Sequence, residues 1–278
     1  MDDALSDLIS IIEDVAMGKY SNDIMEFTRP EHPEMIRRIA EAMGMMMVRV
    51  ESREMRAKVL LDEVKASYFD TINRLVLAAE YKDEDTGDHI VRLSLYSTLI
   101  AEKLGLSSEE IEIIFYAAPM HDVGKIGIPD SILMKPAKLT PEEFEIMKTH
   151  TTIGAAILAD SKADVLQAAQ VIALSHHEKW NGQGYPRGLA GADIPLYGRI
   201  VGLPDVFDAV ISKRPYKEPY PLEKALEIIT EGRGTHFDPE VVDVFMDNLD
   251  QMLEIREKAA KDAVVPMSGF KASERDRC

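Results

Sequence analysis

Apolar residues near the start of the chain follow a helical rhythm. Leu5, Leu8, Ile12 and Val15 alternate spacings of three and four, which predicts a short helix over residues 2–17 that Gly18 ends. A connector carrying Pro30 and Pro33 follows. Ile36, Ile39, Met43, Met46, Val50, Ala57, Leu60 and Val64 then keep the alternation for about four heptads, with Arg53 the polar exception. Such a repeat describes a coiled-coil seam. A helix with one apolar stripe must bury it, against a second copy of itself or against its own domain. Met45, Met46 and Met47 read as adaptable packing on that seam rather than as cofactor ligands.

From Tyr68 the pattern becomes that of globular helices. Ile72, Leu75 and Ala79 form one stripe, followed by the turn-like run Asp83-Glu84-Asp85-Thr86-Gly87. The next helix carries His89, Leu93, Tyr96 and Ile100 on one face, so His89 points inward. Ser107 and Ser108 before Glu109-Glu110 open a helix over 107–119, and Thr140-Pro141-Glu142-Glu143 opens another. Val165, Ala169, Ile172 and His176 again set a histidine on an apolar stripe. No stretch alternates with period two, which predicts an almost wholly α-helical chain.

Composition narrows the class. With 278 residues the chain can bury an ample core in one or two domains. One cysteine, Cys278, rules out an intramolecular disulfide framework and a cysteine metal cage. No run has the apolar length of a membrane span, and the acidic start is not a secretory signal, so a cytoplasmic protein is expected. The net charge of −17 argues against polymeric nucleic acid as a partner, which needs a basic footprint. It leaves room for a small anionic substrate, because bound cations invert the local field. Residues 179–217 run against the global trend, with Lys179, Arg187, Arg199, Lys213, Arg214 and Lys217 against Asp193, Asp205 and Asp208.

The histidines change the picture most. Of the seven, His121 is followed by Asp122, His176 and His177 are adjacent, His150 lies between, His89 precedes them and Asp205 follows. Imidazole with carboxylate and no thiolate suits iron, manganese or zinc, and the donors outnumber the needs of one ion. Asp122 can reach two cations through its two oxygens. His32 and His236 are read as non-ligands. Two cations about 3.5–4 Å apart would lower the pKa of a shared water and clamp the oxygens of a phosphodiester.

The chain from about residue 70 to 250 resembles the HD-GYP phosphodiesterases, a branch of the HD superfamily that hydrolyses cyclic di-GMP. The likeness rests on an ordered series. It comprises DEDTGDH at 83–89, HDVGKIGIPD at 121–130, His150, HHEKWNGQGYP at 176–186, GLAGADIPLYGRI at 188–200, DVFDA at 205–209 and RPYK at 214–217. The resemblance implies an all-α HD-GYP domain in which His89, His121, Asp122 and Asp205 are metal ligands and Asp122 bridges. It implies that His150, His176 and His177 complete a second metal, and that Asp85 stands where some members bind a third. Asp85 also reads as the N-cap of the following helix. The cofactor expected is two or three divalent ions, iron or alternatively manganese.

Lys125 could neutralise charge on a phosphate oxygen, or be a surface lysine. Asp208, three residues after Asp205, could orient a ligand histidine or pair with Arg214. Gly184 and Tyr185 suit close backbone approach and contact with guanine or phosphate. Arg214 and Lys217 fit phosphate or guanine edges, or a solvated basic turn. Asp83 is a substrate contact by family analogy, or simply part of an exposed acidic run.

The two heptad helices, with Glu34 after Pro33 at the second helix start, resemble a HAMP-type module, which implies a homodimer through the N-terminal helices. The organisation expected is a signalling module over 1–66, an HD-GYP domain over 67–265 and a flexible tail over 266–278. The function expected is metal-dependent hydrolysis of cyclic di-GMP to pGpG, or further to GMP. The rival readings are a catalytically silent dinucleotide sensor and an HD phosphohydrolase for another nucleotide.

Overall fold

The computed structural model describes residues 2–19, 22–80, 82, 87–212 and 218–261. The tail expected over 266–278 lies outside the described residues. The chain divides into two compact units, Met1–Tyr68 and Phe69–Cys278.

The first unit holds α1 (Asp2–Ala16), a 3-10 turn at Asn22–Thr28 and the first part of α2 (Glu34–Glu80), a single 47-residue helix. Leu8, Ile24, Ile36, Ala40 and Met47 are buried together, with Ile12, Val15, Phe27 and Met43 around them. The buried stripe of α2 is therefore Ile36, Ala40, Met43 and Met47. Ile39 and Met46, expected on the seam, are exposed, as are Leu60 and Val64. At 3.6 residues per turn two adjacent apolar stripes share this helix, and the heptad spacing does not say which one packs internally. Residues 51–65 are exposed throughout.

In the second unit the end of α2 buries Phe69, Val76 and Ala79 with Ile72 half-buried, while Leu75 is exposed. The expected stripe is thus shifted by one residue at Leu75, and Phe69 stacks on Tyr116 at 3.4 Å between ring centroids. Helices α3 (Gly87–Lys103) and α4 (Ser108–Ala117) follow, with Ser107 and Glu110 forming a complete capping box. Short 3-10 turns at Ala118–Met120 and Val123–Gly127 flank His121 and Asp122. Then come α5 (Asp130–Leu133), α6 (Pro141–Lys148) with the Thr140/Glu143 capping box, α7 (His150–Ile157) and α8 (Asp164–Ser175). The last four are α9 (Leu196–Ile211), α10 (Leu222–Glu231), α11 (Pro239–Asp247) and α12 (Leu249–Lys261).

Helix α3 packs on α4, α9 and α12, and α8 packs on α4, α7 and α9. Tyr96, Ile100, Ile114, Ile200, Leu203, Phe207, Ile229 and Phe245 are fully buried between these elements. Each such side chain contributes about 1.5–3 kcal/mol by leaving water. This core fixes α3 and α9 side by side, which sets His89 opposite Asp205 and Asp208. Among the described residues there is no strand, only the isolated bridges Asn181–Ala190 and Arg233–Phe237, in agreement with an all-α chain.

Candidate dinuclear metal centre

Four histidine rings are oriented by the same device. His121, following the Ala118–Met120 turn, sets Nδ1 3.0 Å from the Ala118 carbonyl oxygen. His150, opening α7, sets Nδ1 2.8 Å from that of Met147, and His176, closing α8, sets Nδ1 3.0 Å from that of Ile172. A carbonyl only accepts, so each Nδ1 carries the proton and each Nε2 offers a lone pair. His89 donates from Nδ1 to Asp208 Oδ2 at 2.8 Å, with the same result.

The Nε2 atoms converge on two carboxylates. Asp122 Oδ1 lies 3.2 Å from His150 Nε2 and 3.5 Å from His176 Nε2. Asp122 Oδ2 lies 3.2 Å from His121 Nε2 and 2.8 Å from Lys125 Nζ. Asp205 Oδ1 is 3.6 Å from His89 Nε2 and 3.7 Å from His121 Nε2. The donors form two groups, Asp122 with His150, His176 and His177, and His89 with His121 and Asp205. Asp122 turns one oxygen to each.

The donor set fits the metal ions it implies. Asp122 Oδ1, His150 Nε2 and His176 Nε2 are buried and have no hydrogen-bond partner. Leaving such groups bare costs about 1–3 kcal/mol each, and coordination to a cation would satisfy all three. Nitrogen and oxygen donors without sulfur suit first-row divalent ions. Burial disfavours charge on Asp122, yet Lys125 and His121 outweigh it and hold the carboxyl well below its usual range. Burial, then the neighbouring His176, keeps His177 well below the ordinary imidazole value, so it stays neutral and able to ligate.

Sequence reasoning missed two supporting residues. Arg92 clamps Asp208 from behind, with Nε 2.6 Å from Oδ1 and Nη2 2.8 Å from Oδ2. The signal was its position three residues after His89, which puts both on one face of α3. Burial pushes Asp208 up, but the hydrogen bonds from Arg92 and His89 leave its carboxyl ionised, below the usual range. Glu178 is buried and accepts from the backbone N–H of Arg187 at 2.8 Å and of Leu189 at 3.0 Å, pinning the loop that carries Gly184 and Tyr185.

That loop reaches the donor groups. The Tyr185 ring lies 4.7 Å from that of His177 and 6.4 Å from that of His150. Burial first, then Asp122 and Asp205, pushes the Tyr185 hydroxyl up, so it stays protonated as a donor. A Cβ at Gly184 would strike the backbone of Glu178 and Lys179. Asp83, Asp85, Arg214 and Lys217 lie outside the described residues. His236 stands apart from both donor groups, stacked on Phe237 and lowered to about 4, chiefly by burial. His32 packs beside Phe27 in the N-terminal unit.

An all-helical scaffold with two imidazole–carboxylate groups, both faced by Asp122, defines a candidate metal centre. Residues 72–241 match the HD domain family. The chain belongs to that family, in its HD-GYP branch. It is 49% identical over 193 residues to a cyclic di-GMP phosphodiesterase of Thermotoga maritima, covering 69% of this chain and 52% of the relative. It is 40% identical over 260 residues to the cyclic di-GMP phosphodiesterase response regulator RpfG of Xanthomonas campestris, covering 89% of this chain and 68% of the relative. The fold also matches a solved cyclic GMP-AMP-specific phosphodiesterase of V. cholerae, V-cGAP3, with a TM-score of 0.52 at 22% identity, covering 74% of this chain and 56% of that one. The chain spans about half the length of the Thermotoga relative.

Proposed function

We propose that this chain is a metal-dependent phosphodiesterase that opens cyclic di-GMP to linear pGpG, or cleaves it further to GMP. One observation carries the reading: buried, unpartnered nitrogen and oxygen donors from α7, α8 and the turn after α4 meet on Asp122. The names of the relatives from Thermotoga and Xanthomonas support the choice of substrate.

Two divalent ions, iron or alternatively manganese, would supply an activated water and positive charge for the phosphodiester when bound. His89, His121 and Asp205 would hold one, His150, His176 and His177 the other, and Asp122 both; Asp85 would add a third. Lys125, beside Asp122, neutralises charge developing on a non-bridging phosphate oxygen. Tyr185 keeps its proton and donates it in a hydrogen bond to phosphate or guanine. Asp208 works through His89, fixing its tautomer and direction. Gly184 lets the loop close against Glu178, while Asp83, Arg214 and Lys217 contact the substrate. The N-terminal helices act as a HAMP-like module and join two copies in the cytoplasm.

Protein loaded with ferrous or manganous ion without air and given cyclic di-GMP is expected to release pGpG. Absence of turnover at full metal occupancy would contradict the proposal. Binding that persists unchanged when His121 and Asp122 become Ala would point instead to a silent sensor. A panel of other cyclic dinucleotides separates the reading from a different nucleotide specificity.

A further inference from the structure

Helix α6 has no buried residue, and its Phe144 is 43% exposed. Phe144 belongs to none of the buried clusters of the described residues. Its ring instead meets Tyr185 edge to face, at 6.1 Å between centroids and 82° between planes. One turn further along α6, Lys148 Nζ stands 5.0 Å from the Phe144 ring centre and 5.6 Å from that of Tyr185. Glu145 holds the same ammonium at 2.7 Å. The rings of His177, Tyr185 and Phe144 thus form a continuous wall leading outward from the metal ligands, with a cation beside it.

We infer that Phe144 and Lys148 are binding residues for a guanine of the substrate, Phe144 forming an aromatic corner with Tyr185 for the base and Lys148 meeting its acceptor edge. The inference rests on the phosphodiesterase reading of the metal centre. A phosphodiester at the metals places a flanking nucleoside along this wall, and an aromatic face exposed to water gains by stacking on a base. Guanine offers O6 and N7 together on one edge, a pair an ammonium can engage. Adenine replaces O6 by an amino donor, which faces the ammonium unfavourably.

The test compares metal-loaded wild type, F144A, F144W and K148M on cyclic di-GMP and cyclic di-AMP, with bound metal measured in each. F144A should raise KM for cyclic di-GMP by about tenfold or more while kcat stays within about twofold and metal content is unchanged. F144W should restore KM. K148M should lower the preference for cyclic di-GMP over cyclic di-AMP by about tenfold. Unchanged KM in F144A, or a fall confined to kcat, overturns the role of Phe144, and an unchanged preference in K148M overturns that of Lys148. If wild type does not turn over cyclic di-GMP, the phosphodiesterase reading fails, and equilibrium binding then decides the inference separately. Weaker binding of cyclic di-GMP to F144A than to wild type sustains it; equal affinity or no binding overturns it.

Discussion

An imidazole can ligate through either nitrogen until a neighbour fixes its proton. Backbone carbonyls do this for His121, His150 and His176, whereas His89 depends on a side chain, Asp208. Replacing Asp208 by Asn should therefore weaken metal binding at the His89 group by about 10–100-fold, read by metal titration, and leave the His150 group intact. Equal loss at both groups would contradict this. Arg92→Met should act in the same direction, because it removes the bidentate clamp on Asp208. The donor groups that the structure brings together were legible because His and Asp occur in few chemically sensible groupings. Arg92 was not, since an arginine on a helix reads as solvated until its carboxylate partner on another helix is located.

Proton linkage adds a second residue-scale expectation. Burial, the leading cause, lowers His176 and His177, so the folded metal-free chain takes up their protons less readily than the unfolded one. Their contribution to stability is complete above about pH 6.5 and declines as pH falls from there toward their folded values. Asp122 and Asp208, also depressed, add a loss of the same sign below about pH 4. Denaturant midpoints of metal-free wild type should fall on acidification, and more steeply than those of His177→Gln. Parallel curves for the two proteins would count against this.

At the scale of elements, glycines decide how closely the ligand-bearing segments approach. A Cβ at Gly124 would collide with the His150 carbonyl oxygen and with Gly154, and one at Gly202 would lie 2.6 Å from the His176 carbonyl oxygen. Gly202→Ala should cost about 1–3 kcal/mol by forcing α9 away from the end of α8. Calorimetric unfolding with parallel metal analysis checks it, and a wild-type melting temperature with wild-type metal content would be the contrary result. Helix starts were legible at Ser107/Glu110 and Thr140/Glu143 because a capping box is a local, two-residue device. The buried stripe of α2 was not, because Ile36, Ile39, Met43 and Met46 satisfy a heptad as well as Ile36, Ala40, Met43 and Met47 do. Tertiary packing against α1 chose the second. Leu75 and Val76 exchanged places because Val76 packs with Ile90 and Leu93 of α3.

At the scale of the whole molecule, α2 leaves Ile39, Met46, Leu60 and Val64 in water, all on the heptad spacing. A second copy is the simplest cover for such a stripe. Sedimentation should show a dimer that dissociates in Ile39→Glu/Leu60→Glu, with no change in metal content; a monomeric wild type would contradict the proposed dimer. In the proposed site, Asp122 would be shared by two adjacent cations. Anomalous diffraction from crystals grown with manganese tests it most directly. At least two peaks are expected, one within reach of His89, His121 and Asp205 and one within reach of His150, His176 and His177, with Asp122 touching both. A single peak, or two that do not share Asp122, would contradict it.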